Sequence, residues 1–192
     1  EFGSIKDVES LKYFVNLDSV LIVANQIEDI SVLDKLELHH ATFFGNRIQF
    51  TEVIDGQEEE ILGCKLRFMD LISPKMKQFG FVLEKEDKKL AFCGDVPLKE
   101  SLVPRVQGSD WMLHEAFCLY EERDIFKPYE KEHSTVKDAC EFGERIGIKN
   151  LVLYHTEDKH IKERKALYVK EGKPYFSGNL YVPDDRDALE LF

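Results

Sequence analysis

Three short apolar runs, each ending in a residue able to bind a metal or move a proton, constrain this chain most. They are Leu90-Ala91-Phe92-Cys93-Gly94-Asp95, Trp111-Met112-Leu113-His114-Glu115-Ala116 and Leu151-Val152-Leu153-Tyr154-His155. A run of this length, apolar at successive positions and bounded by turn residues, reads as a strand covered on both faces. Open α/β sheets bind ligands beyond the carboxyl ends of such strands. Asp95, His114, Glu115 and His155 are therefore expected at one sheet edge. Glu132-His133-Ser134-Thr135 joins them, because Ser134 or Thr135 is placed to cap a helix running to Ile146 and ending at Gly147. Carboxylates and imidazoles gathered in this way suit a metal-dependent hydrolase.

Composition narrows the class. The 192 residues suffice for one domain, 1–192, with a sizeable core, and 43% hydrophobic with 33% charged residues is ordinary for a globular protein. No run is long enough for a membrane helix. A formal net charge of −11 argues against a broad electrostatic grip on nucleic acid, though not against a small phosphodiester held by metal ions. Cys64, Cys93, Cys118 and Cys140 are widely spaced among apolar neighbours. They read as buried free thiols of a cytoplasmic protein.

The remaining patterns predict an α/β chain. Apolar spacing predicts helices over 5–15 and 30–36 and a strand over 19–24. Strands are expected over 48–53 and 61–69, the latter with Cys64, Leu66 and Phe68 on one face. Asp55-Gly56 reads as a turn and Glu58-Glu59-Glu60 as a solvated charge run. Segments 79–83 and 89–92 pair across a polar connection over 84–88, completing a mostly antiparallel sheet. Val96 to Val103 reads as a helix ended by Pro104, Cys118 to Phe126 as a helix or lid, and Lys159 to Tyr168 as a basic amphipathic helix. A last strand follows Glu171-Gly172-Lys173-Pro174. The adjacent His39 and His40 cannot both face one ion from a strand and read as loop or surface residues.

The order Phe-Cys-Gly-Asp, Leu-His-Glu-Ala, His-Ser-Thr, Leu-Tyr-His-Thr resembles the C-terminal part of the metallo-β-lactamase superfamily, and within it the ribonuclease Z branch. The likeness runs from about Phe79 to the end, including Asn179-Leu180-Tyr181-Val182-Pro183-Asp184. It implies a four-layer αβ/βα sandwich and two Zn²⁺ ions, with Mn²⁺ as an alternative. Asp95 would be a bridging carboxylate and His155 a terminal metal ligand. His133 would donate a proton to the leaving oxygen or hold the phosphate, with Glu115 and His114 orienting these groups. The family's H-x-H-x-D-H motif is not in this chain, and Ser73 stands where a metal-binding His is usual, with Asp70 nearby as a substitute. Phe2-Gly3-Ser4-Ile5 resembles the segment that follows that motif, while Glu1-Phe2-Gly3-Ser4 also fits a cloning remnant. On the first reading the domain is N-terminally incomplete, lacks its first strands, and covers the open edge as a homodimer.

Three functions stand side by side at this point. One is a ribonuclease Z-like phosphodiesterase acting on RNA or nucleotide phosphodiesters. Another is a hydrolase of cyclic nucleotides or other small substrates. The last is a metal-free, non-catalytic binding or assembly protein.

Overall fold

The computed structural model describes residues 19–23 and 40–44 as strands, and residues 53–185 and 187–191 throughout. The chain divides into two compact units, Glu1–Glu52 and Val53–Phe192. In the first, β1 (Ser19–Val23) pairs in parallel with β2 (His40–Phe44), Ser19 opposite His40. The strand expected over 19–24 is therefore present, and His40 opens a strand rather than lying in a loop. The expected helices over 5–15 and 30–36, and nearly all of the strand over 48–53, lie outside the described residues.

The second unit is built on one seven-stranded sheet. Its strands are β3 (Glu58–Ile61), β4 (Cys64–Asp70), β5 (Phe79–Lys85), β6 (Lys88–Phe92), β7 (Trp111–Glu115), β8 (Asn150–Tyr154) and β9 (Asn179–Tyr181), in spatial order. β3 to β6 are antiparallel neighbours, whereas β6 to β9 run parallel. The expected single strand over 61–69 is two strands: Leu62 and Gly63, both at positive φ, form the tight turn between β3 and β4. Glu58 to Glu60 are exposed, as a charge run should be, but they form the edge strand β3.

Alternation along the strands builds two cores. Ala91, Met112, Leu151 and Leu153 join Val136, Ala139, Cys140 and Tyr168 in the larger cluster. Leu90, Trp111 and Val152 line the opposite face with Phe81, Phe92, Leu113 and Tyr181. This two-sided covering is why β7 and β8 read as continuous apolar runs.

Two helices cover the larger core: α3 (Val136–Arg145) and α4 (Arg164–Gly172). Thr135 caps α3 through a capping box with Asp138. Gly147, at φ 78°, ends it, with Gly147 N–H donating to Glu144 O and Ile148 N–H to Gly143 O. Buried Val136, Ala139, Cys140 and Gly143 form its inward stripe.

Several boundaries differ from expectation. Segment 96–103 is not a helix: a 3₁₀ turn over Glu100–Leu102 leads into the short α1 (Val103–Val106). Pro104 opens α1 rather than ending a helix, because a first-turn N–H needs no intrahelical acceptor. Segment 118–126 holds a 3₁₀ turn over Tyr120–Glu122 and α2 (Arg123–Phe126). The helix expected from Lys159 starts only at Arg164, because the Lys159 N–H bonds the Glu157 carboxylate and residues 159–163 form turns. Cys93, Cys118 and Cys140 are buried free thiols as expected, but Cys64 is only half-buried.

At the N-terminal ends of the parallel strands one acid ties the register. Asp110 accepts from Lys89 N–H at 3.1 Å and Lys149 Nζ at 2.7 Å, while its own N–H donates to Lys89 O at 2.8 Å. Strands held in register here bring their opposite ends into line, and the candidate site lies at those ends.

Candidate active site at the carboxyl ends of the parallel strands

Register places the predicted residues. Phe92 pairs with Leu113, His114 with Leu153 and Glu115 with Tyr154. Asp95 lies just beyond β6, Glu115 ends β7, and His155 directly follows β8. Gly94, at φ 64°, makes the turn that carries the chain from β6 into Asp95. A Cβ there would stand 2.3 Å from Leu71 Cδ1, so only glycine fits. The Tyr154 hydroxyl donates to Gly94 O. Burial, then the nearby Cys93, Glu115 and Asp95, pushes its pKa far above the ordinary phenol value, so Tyr154 is a neutral donor fixing this turn.

Glu115 is the centre of the cluster. Its side chain is fully buried (0% exposed). Oε1 accepts from both Ser134 N–H and Ser134 Oγ, each at 2.6 Å. Oε2 has no hydrogen-bond partner and faces His133 Nδ1, also unpartnered, at 3.6 Å. A buried carboxylate with one oxygen doubly bonded and the other turned to an imidazole is oriented to steady a positive charge on that ring.

The imidazoles lie against other rings, His133 stacked on Phe117 and His155 tilted against His133. His133 lies on the Phe117 ring with centroids 5.0 Å apart, and 4.9 Å from the ring of His155. His133 N–H donates to Pro128 O at 2.9 Å, which fixes the backbone. His155 is exposed and sits at φ 53°, a left-handed conformation uncommon for a residue with a Cβ. Such strain concentrates at functional positions.

Expected residues are thus brought together unevenly. Glu115, His133 and His155 converge, and Asp95 emerges at the same edge. His114 does not join them, because consecutive strand residues point to opposite faces. Its ring lies among the larger core beside Phe142, accepting Leu98 N–H at Nε2 (3.3 Å), with Nδ1 2.7 Å from Glu115 O. Both nitrogens are committed to backbone groups. The ring therefore holds the segment after Asp95 against β7.

Ser73 lies between β4 and β5 with its Oγ buried and unpartnered. Asp70 accepts Ile72 N–H at 2.9 Å and faces Lys77 at 4.0 Å, so its carboxylate serves the turn. A carboxylate and an imidazole, Asp95 and His155, are the donor types zinc accepts. Among the described residues the group of three metal-competent donors that closes to within 4.8 Å lies elsewhere, at Glu122, Glu157 and His160.

Sequence reasoning missed Ser134, Phe117 and Tyr154 as parts of the site. Ser134 was expected only as a cap, the role Thr135 takes. Its neighbours in the His-Ser-Thr motif were the available signal. Phe117 and Tyr154 carry none apart from adjacency to Glu115 and His155.

Comparison with known proteins identifies the family. A family model for the beta-lactamase superfamily domain matches residues 11–156, and the chain belongs to that family. The α/β metallo-β-lactamase-like class expected from the motifs is the class observed. Within the superfamily the chain is similar to ribonuclease Z of Pyrobaculum arsenaticum, 28% identical over 139 residues, covering 72% of this chain and 45% of that protein. It is 36% identical to ribonuclease Z of Porphyromonas gingivalis over 104 residues, 54% of this chain and 33% of that one. The chain thus spans between a third and under half of the length of these relatives. Among solved structures, the metallo-β-lactamase fold protein YhfI of Bacillus subtilis aligns with TM-score 0.56 at 15% identity, covering 92% of this chain and 67% of that one. The short form of human tRNase Z aligns with TM-score 0.52 at 19% identity over 69% of this chain and 44% of that one. At these identities the structural likeness speaks for the fold.

Proposed function

We propose that this chain forms part of a single hydrolase domain of the ribonuclease Z kind, cleaving phosphodiesters in RNA. The observation that carries this reading is the Glu115–Ser134–His133 arrangement. A fully buried carboxylate is locked by two donors from Ser134 and turned toward His133 Nδ1 at 3.6 Å. A small closure makes that contact a hydrogen bond, which orients the ring and leaves Nε2 for the substrate. His133 then donates its proton to the leaving oxygen while Glu115 stabilises the imidazolium. The named relatives, both ribonuclease Z, support a phosphodiester rather than a lactam as substrate.

Asp95 and His155 would hold the divalent metal the family uses, zinc or manganese, as two of its ligands. When bound, such a metal lowers the pKa of its water and neutralises charge developing on phosphate oxygens. His114 contributes at one remove, by fixing the segment after Asp95 through Leu98. A second reading, a small phosphodiester such as a cyclic nucleotide, is favoured by the net charge of −11.

The test is hydrolysis of a precursor tRNA, a cyclic nucleotide and a chromogenic phosphodiester by the zinc- or manganese-loaded protein. His133→Ala should lower kcat by about 10²–10⁴-fold with metal content unchanged. Faster turnover of the cyclic nucleotide would select the second reading. A protein that takes up neither metal and gains no thermal stability from either is the non-catalytic binding protein instead.

A further inference from the structure

Away from the strand ends, a second group of ligand-capable side chains comes together: Glu122 in the turn before α2, and Glu157 and His160 in the turns after β8. One donor atom from each lies within 4.8 Å of the others. Glu157 sets this group apart from an ordinary acidic cluster. It is only 6% exposed, and its Oε1 is buried with no hydrogen-bond partner. Its other oxygen accepts Lys159 N–H. A buried carboxylate that uses half its acceptor capacity and, among the described residues, pairs with no cation is a costly feature unless something fills the remaining position.

We propose that Glu122, Glu157 and His160 form a metal site for a divalent first-row transition ion, distinct from the Asp95–His155 edge. Two carboxylates and one imidazole suit zinc or manganese, whereas an imidazole disfavours magnesium and calcium. His160 Nε2 lies 3.0 Å from both Glu122 oxygens, so its ligand-competent nitrogen already faces the carboxylate. The group in competition is Lys159, whose Nζ pairs with Glu122 Oε1 but whose side chain is 49% exposed. An exposed lysine leaves such a pair at little cost. Water completes the coordination.

The ion acts as a brace. Glu157 N–H donates to Phe117 O at 2.7 Å, and the Phe117 ring carries His133. Clamping Glu122 to Glu157 and His160 would tie the segment after β7 to the turns after β8. This inference does not rest on the proposed hydrolase activity and stands or falls separately.

The experiment is zinc titration of the metal-stripped full chain against a chelating indicator, with bound metal counted by elemental analysis. His160→Asn and Glu157→Gln should each weaken one zinc by about tenfold or more. Lys159→Met, which frees Glu122, should bind that zinc more tightly than the unaltered chain. Asp95→Asn/His155→Ala should retain it. His160 is a partly exposed turn residue, so its variant decides the matter should Glu157→Gln fail to fold. Zinc binding unchanged by His160→Asn, or abolished entirely by Asp95→Asn/His155→Ala, overturns the proposal.

Discussion

Ser134→Ala tests how the site is held together. Ser134 Oγ lies 2.6 Å from Glu115 Oε1 and 3.0 Å from Glu115 O, inside a region where Glu115 is fully buried. Removing the hydroxyl leaves Oε1 with the Ser134 N–H alone. A hydrogen bond to a buried charged acceptor is worth about 1.5–3 kcal/mol, because water cannot replace the lost donor. At about 2–4 °C per kcal/mol for a chain of this size, the melting temperature should fall by roughly 3–12 °C. Urea unfolding should show a lower midpoint with an unchanged slope, the sign of a stability effect confined to the native state. The charge is the source of that magnitude, so a cycle with Glu115→Gln isolates it. In the neutral background Ser134→Ala should cost only about 0.5–1.5 kcal/mol, as for a bond between uncharged groups. Equal costs in both backgrounds, or a single-variant cost under about 0.5 kcal/mol, would mean that the Ser134 contact does not hold a buried carboxylate.

Two further predictions concern the scaffold. Gly172, at the end of α4, faces Leu180 Cδ2 and Cys140 Sγ, which would lie 2.5 and 2.7 Å from an added Cβ. Gly172→Ala should therefore destabilise by about 1–3 kcal/mol despite alanine's better helix propensity, as calorimetry would register; a stabilised variant would contradict the tight packing of α4 on β9. Asp55 is held at a pKa of about 2 by its hydrogen bonds from Arg105 and the Asp70 N–H. Since the folded value lies below the ordinary 3.8, this stabilisation is complete above pH 3.8 and is lost as pH falls through about 2. Asp55→Asn should thus lower stability near neutrality, by about 1 kcal/mol or less for so exposed a pair, and the difference should close in acid; a difference constant with pH would refute the assignment.

Much of the parallel half was legible in advance. The runs ending at Asp95, Glu115 and His155 are strands, since an apolar stretch covered on both sides has few other ways to satisfy its backbone. The stop of α3 at Gly147 was equally readable and its cap was readable to within one residue, Ser134 or Thr135, because both signals act within one turn of the helix. Pro104 and Lys159 misled for a shared reason. Proline suits both the start and the aftermath of a helix, and the Lys159 N–H goes to a side chain that periodicity cannot see.

What the sequence determined by itself is local: that the apolar runs before Asp95, Glu115 and His155 are strands, where α3 ends, and that carboxylates and imidazoles stand at those strand ends. The tertiary structure alone decided which of them meet. Pleating turned His114 into the core and Glu115 toward Ser134, although the two are neighbours in the chain. The fold also drew Glu122 to Glu157 and His160 across more than thirty residues of chain. No periodicity records such a meeting, because it depends on how strands pair and turns close.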